Sequence, residues 1–199
     1  MALMPVDPGM VATIVTHLEM RDRPRPAPIP PAPLRLVPWK RPELDAYRAL
    51  FRRVGAPWLW FSRLVMADSA LAAILHDPAV EVYAVTDPRG TEVGLLELDF
   101  RSLPDCELSF FGLVPELNGK GLGRWLMAQA KSLAWRKGVE RFWVHTCTLD
   151  SPAALGFYLR SGFVAYGREI ETFADPRLAG ILPRDAAPHV PLLDQAATA

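Results

Sequence analysis

Residues 112–124 read GLVPELNGKGLGR. Three glycines occupy alternate positions, Gly119, Gly121 and Gly123, with Lys120 between the first two and a helix-like run beyond them. The apolar segment CELSFFGLV (106–114) upstream reads as a strand, so the glycines form a strand-to-helix turn. Such a turn leaves several N–H groups without partners at a helix N-terminus, where the helix dipole adds positive potential. That combination suits a phosphate or pyrophosphate, and Lys120 and Arg124 add charge to it. The alternative is a tight connection with no ligand. Two familiar phosphate loops are excluded by spacing. A P-loop needs four residues between its glycines and then Lys-Ser/Thr, whereas Gly121 follows Lys120 here; a dinucleotide fingerprint needs G-x-G-x-x-G early in a βαβ unit.

Outward from this turn the elements alternate. MVATIVTHLEM (10–20) is rich in β-branched residues and reads as a strand; RPRPAPIPPAP (23–33) reads as an extended linker, because proline fixes φ and removes donors. LRLV (34–37) is a short strand, and 41–55 spaces Leu44, Tyr47, Leu50, Phe51 and Val54 as a helix stopped by Gly55. One or two short helices are expected in 56–78. Strands follow at 79–86 and 91–100 around the turn DPRG, then the strand at 106–114. Residues 121–138 form an amphipathic helix, 140–148 a strand, and 163–173 another strand. SPAALGFYLRSG (151–162) reads as a helix with Ser151 as N-cap and Pro152 at its first position. The tail is a loop with an edge strand near 189–193. This order predicts one mixed α/β (α+β) sheet with helices on both faces. The chain divides into an arm and linker (1–33), a catalytic-type domain (34–173) and a C-terminal loop and tail (174–199).

Composition bounds the partners. The 199 residues carry 22 basic and 22 acidic side chains, so no basic excess supports nucleic acid or a membrane surface. No run reaches the ~18 apolar residues of a membrane span and no signal peptide is readable. Cys106 and Cys147 fit free thiols in a cytoplasmic protein. The histidines at 17, 76, 145 and 189 lack metal-ligand spacing, and His145, on an apolar strand, reads as a packed core histidine.

LVPELNGKGLGRWLM (113–127) resembles the acyl-CoA loop of the GNAT superfamily of N-acyltransferases, a strand-end hydrophobe, a proline two residues on, then Q/R-x-x-G-x-G/A. Asn118 stands where that family has Gln or Arg. SPAALGFYLRSGF (151–163) resembles the family's downstream helix, with Ser151 in place of Asn. The resemblance implies a mostly antiparallel GNAT-like sheet, acetyl-CoA as cosubstrate and an amine acceptor. It places the cosubstrate against Leu113, Val114, Asn118, Gly119, Lys120, Gly121, Leu122, Gly123, Arg124 and Ser151. It implies that the strand before the loop splays from its neighbour, that the Leu113 N–H meets the thioester carbonyl, and that Tyr158 is the general acid.

Glu107 is the base candidate. It lies six residues before Leu113, so alternation sets both on one face unless a bulge intervenes. Glu97 and Asp99 share a face of the preceding strand and compete for the role; a solvated strand face is the plainer reading of all three. WLWFSR (58–63) and Trp39 form either an aromatic wall for the acceptor or, for most of them, core. Two other functions fit the same loop: an acyl-CoA-binding regulatory module without turnover, and an interaction protein in which the loop is only a turn. The arm, with Val11, Ile14, Val15 and Leu18, needs a partner strand. Docking on an edge of its own sheet and strand exchange in a homodimer both satisfy it, and the linker's extended reach favours the exchange.

Overall fold

A computed structural model describes residues 3–25 and 27–194; Pro26 of the linker and the last residues of the tail lie outside them. Among the described residues seven strands form one sheet in the order β2-β3-β4-β5-β6-β1-β7. The strands are β1 (Met10–Met20), β2 (Arg35–Pro38), β3 (Val80–Thr86), β4 (Glu92–Asp99), β5 (Asp105–Leu113), β6 (Arg141–Cys147) and β7 (Val164–Ala174). All neighbours are antiparallel except β5 and β6.

The helices are α1 (Leu44–Gly55), α2 (Ser62–Val65), α3 (Asp68–Leu75), α4 (Leu122–Ala134) and α5 (Ala154–Arg160). On one face, α1 sets Tyr47 against Glu97 of β4 and Phe51 edge-on against Phe110 of β5, with ring centroids 4.8 Å apart. On the other, Phe111 of β5 packs on Phe157 and Tyr158 of α5, and Gly123 of α4 lies against Phe157. One large apolar core fills both interfaces, with Leu95, Leu96, Leu98, Leu126 and Phe142 shut off from solvent. Each such side chain contributes roughly 1.5–3 kcal/mol on burial.

The strands and α1 stand where sequence periodicity sets them, within two residues or so. Two ends differ. α4 stops at Ala134, with Trp135 turning out of the helix, rather than running to Gly138. α5 begins at Ala154 rather than at Ser151; the Ser151 carbonyl accepts the Ala154 N–H at 2.8 Å, closing a turn before the helix, so Ser151 is not its N-cap. The tail forms no strand near 189–193. Arg177 orders it instead: buried, it pairs with Asp175 and donates to the carbonyls of Ala186 (3.1 Å) and Val190 (2.8 Å). A small second core joins this tail to the rest, with Leu182 and Ala187 against Val11, Leu59 and Leu149.

The arm docks on its own sheet, though between two strands rather than at an edge. β1 lies inside its own sheet, antiparallel to β6 on one side and to β7 on the other. Both of its edges are thereby filled, which removes the need for a strand from a second subunit. The linker's reach serves the chain itself. β1 and β2 stand five strand spacings apart, roughly 24 Å. Residues 21–34, extended at about 3.1 Å each, cover that span with slack.

Removing residues 1–33 therefore takes a strand from between two others and unpairs both. The truncated chain should lose cooperative thermal unfolding and accumulate as aggregate. A soluble truncation with a sharp transition by calorimetry would show that β1 is dispensable.

Candidate active site

β5 and β6 are paired only over Asp105–Glu107 and Arg141–Trp143. Beyond Glu107 the two parallel strands part, as the family resemblance implies, and a cavity of 690 Å³ occupies the fork. Along the free side of β5 the backbone direction is fixed by the ladder to β4. Val114 donates its N–H to Val93 at 2.9 Å, which makes Gly94 and Leu113 a non-hydrogen-bonded pair. The Leu113 N–H therefore points away from β4 and into the fork.

A bulge interrupts β5. Leu98 stands opposite Leu108 and Glu97 opposite Phe110, so Ser109 is an extra residue. It reverses the parity between Glu107 and Leu113, and the expectation that they share a face is corrected: Glu107 faces with Asp99 and Phe110, whereas Leu113 faces with Phe111. Glu107 and Tyr158, from opposite faces of the sheet, both line the cavity in the fork.

The glycine turn forms one end. Gly119 and Gly121 both have φ of +75°, the left-handed region that a side chain strains, and Gly119 has nothing within 4 Å of where a Cβ would stand. Asn118, Gly119, Gly121, Leu122, Gly123 and Arg124 line the cavity there, with Ser151 and Arg160 across from them. Gly123 is ordinary helix, and a Cβ there would stand in ordinary contact with Phe157, at 3.6 Å. Lys120 and Val114 do not line the cavity. Lys120 is exposed, and Val114 is buried with its N–H committed to Val93.

The three candidate carboxylates are not equivalent, and none lies on a solvated face. Glu97 is fully buried, ion-paired with Arg63 and accepting the Tyr47 hydroxyl at 2.7 Å. Asp99 is held by Arg101, at 2.9 Å from Nε; burial alone would raise its pKa, but this guanidinium and the Arg101 N–H keep it below the usual carboxylate range. Glu107 has no such partner. Burial, followed by the negative charges of Asp99 and Glu97, pushes it up to about 7, against the pull of Arg63 and Arg101. Tyr158, almost wholly buried, has its phenol pKa raised by burial and then by the charge of Asp150, so it stays protonated.

The far end of the cavity holds most of the aromatic cluster that the sequence offered as either an aromatic wall or core. Trp58, Leu59, Trp60 and Phe61 all line the cavity, Leu59 being also part of the small second core, whereas Trp39 packs beside Tyr47 away from it. Arg63 lies over the Phe110 ring, 5.1 Å from its centre. Asp150 accepts from Trp60 Nε1 (3.2 Å), Thr146 Oγ1 (2.6 Å) and the Cys147 N–H (3.1 Å), which fixes the indole at the cavity wall. His145 is not a core histidine. Its side chain is half exposed, its Nδ1 lies 3.8 Å from Glu107, and burial of the ring by its neighbours, then His17, lowers its pKa. Parity on β6 was the available signal: His145 alternates with buried Val144 and Thr146. Among the described residues, no group of three or more His, Cys, Asp and Glu side chains is placed to hold a metal ion.

Known proteins match this architecture. A GCN5-related N-acetyltransferase from Sphaerobacter thermophilus superposes with a TM-score of 0.60 at 20% identity, over 84% of this chain and 52% of its own. A chimeric spermidine N-acetyltransferase from Vibrio cholerae gives 0.55 at 22% identity, over 68% and 83%. An aminoglycoside acetyltransferase from an uncultured soil metagenome, in complex with sisomicin, gives 0.53 at 18%, over 65% and 88%. The chain spans about half the length of the first of these. At such identities the likeness is one of fold. No curated protein matches the chain in sequence. The sequence model of the acetyltransferase (GNAT) family matches residues 35–163, from the first residue of β2 to the residue before β7. That match carries the glycine turn, the fork and α5 together, and the chain belongs to the acetyltransferase (GNAT) family.

Proposed function

We propose that the chain transfers an acetyl group from acetyl-CoA to a primary amine of a small molecule or peptide, by direct attack while both are bound. One observation carries this reading: the fork beyond Glu107 brings a backbone N–H without a strand partner, a carboxylate without an arginine partner and a protonated phenol to one cavity. Acetyl transfer needs those three services, namely a polarised carbonyl, an acceptor for the amine's proton and a donor for the leaving sulfur.

The residues present fit acetyl-CoA. The left-handed backbone at Gly119 and Gly121 and the N-terminus of α4 form a cradle for its pyrophosphate, with Arg124 and Arg160 beside it. The bound thioester supplies the acetyl group. The Leu113 N–H faces its carbonyl, a contact that contributes on the order of 3 kcal/mol when charge develops on that oxygen. Glu107 takes a proton from the amine, because its pKa near 7 matches the working pH. Tyr158 gives its proton to the departing sulfur from the other face. Trp58, Trp60 and Phe61 hold the acceptor's apolar part. Thiol release from acetyl-CoA, measured over a panel of amino acids, polyamines, aminoglycosides and peptides, tests the reading. No release above the buffer rate with any amine would overturn it.

Gly121→Val should abolish coenzyme A binding by calorimetry while the protein stays folded, since the side chain strains a left-handed residue and fills the pyrophosphate's approach. Unchanged affinity would remove the cradle. Tyr158→Phe should lower turnover by ~10²-fold and leave coenzyme A affinity nearly unchanged. A smaller affinity with normal turnover would reassign Tyr158 to packing. The third expectation concerns pH. Protonated Glu107 cannot accept a proton, so turnover should fall tenfold per unit as pH drops below about 7 and level off above it. In Glu107→Gln that limb should vanish along with most of the rate.

A further inference from the structure

On the face that carries Glu107, titratable side chains continue in one row across four adjacent strands. Glu107 on β5 is followed by His145 on β6, His17 on β1 and Glu169 on β7. His145 and His17 are direct cross-strand partners, and their ring centroids lie 6.1 Å apart. His17 Nε2 stands 3.0 Å from Glu169, whose side chain is 73% exposed. Gly167 is the β7 residue opposite His17, and its missing side chain leaves that ring room. Trp143 and Tyr166 flank the His17 ring at 6.5 and 5.8 Å and hold it in the row.

The row matters because of what the cavity lacks when it is in use. With acetyl-CoA and an amine in the fork, the open side of Glu107 is covered, yet the proton it has taken must reach solvent before the next cycle. A second recess of 120 Å³ also touches Glu107 and is lined by the Asp99–Arg101 ion pair, Ser102, Asp105 and Trp143. The histidine row leads the other way, to a carboxylate in water.

We propose that His145 and His17 form a proton path from Glu107 to Glu169. The inference rests on Glu107 being the base. His145 takes the proton on Nδ1, the nitrogen facing Glu107, and releases one from Nε2; His17 takes one and releases one from Nε2 to Glu169, which yields it to solvent. No net charge remains on either ring, and each ends in its other tautomer until it turns back. The 3.8 Å step closes with a small side-chain rotation, and one water spans the gap between the rings. Burial raises Glu107 to about 7, while burial and then His17 lower His145 from its ordinary value. The charges acting on His145 are Glu107 from β5, His17 from β1, Asp150 from the turn after β6 and Glu171 from β7; His17 is faced by His145, Glu169 and Tyr166.

The decisive variant is His17→Phe, which keeps a ring between Trp143 and Tyr166 and removes the proton site. With the full chain, saturating acetyl-CoA and the best amine of the panel, kcat should fall about tenfold in dilute buffer with KM unchanged. Added imidazole should restore it in proportion to concentration, while the wild type stays flat. Wild-type kcat in His17→Phe without imidazole dependence overturns the path. Glu107→Gln separates the two readings. If it is inactive at every imidazole concentration while His17→Phe is normal, only the path fails; if Glu107→Gln is unimpaired, the base assignment fails. Ring-proton NMR needs no acceptor. The His145 midpoint should rise in His17→Phe, which removes the repulsion that lowers it. An immobile midpoint would also overturn the path.

Discussion

The parting of β5 and β6 after Glu107 is the constraint on which the site depends. A sheet satisfies its backbone groups by pairing, and each unpaired N–H that stays dry costs about 1–3 kcal/mol. The chain forgoes that pairing in the middle of its sheet, where two parallel neighbours separate after three residue pairs. The remaining strands make the parting rigid. β4 holds the other side of β5 from Glu107 to Leu113, and β1 holds the other side of β6. What is left between them is backbone directed into the cavity without a strand partner, which an incoming ligand oxygen can engage.

Electrostatics on the Glu107 face follow from crowding. Three carboxylates share a small region, and two have an arginine each. Those pairs occupy Glu97 and Asp99, yet after burial it is their charges that act on Glu107 and raise its pKa. The arginines are thus structural in one sense and electrostatic in another.

Much of this was legible in the sequence because it is local. β-branched runs, helical spacing and the glycine turn each declare themselves within a dozen residues, and Glu107, Tyr158 and the turn's glycines line one cavity as their motif context suggested. What was not legible is either long-range or one residue small. The bulge at Ser109 leaves no mark in SFFGL, where every residue tolerates a strand, but it decides which face Glu107 occupies. The place of β1 follows from which edges β6 and β7 leave open, a property of the assembled sheet. His145 misleads because its neighbours are apolar, and only strand parity separates its face from theirs. Asp150 and Arg63 owe their places to partners 90 and 34 positions away.

The interior position of β1 also bears on how the chain assembles in time. It is the first strand to be synthesised, and its partners β6 and β7 are among the last. At 5–20 residues per second, on the order of ten seconds passes before Ala174 follows Met10. Throughout that interval a β-prone apolar segment has no native neighbour, and closing the sheet then requires contacts that span most of the chain. Whatever shields residues 10–20 during synthesis therefore sets the yield of folded protein, however stable the finished sheet is.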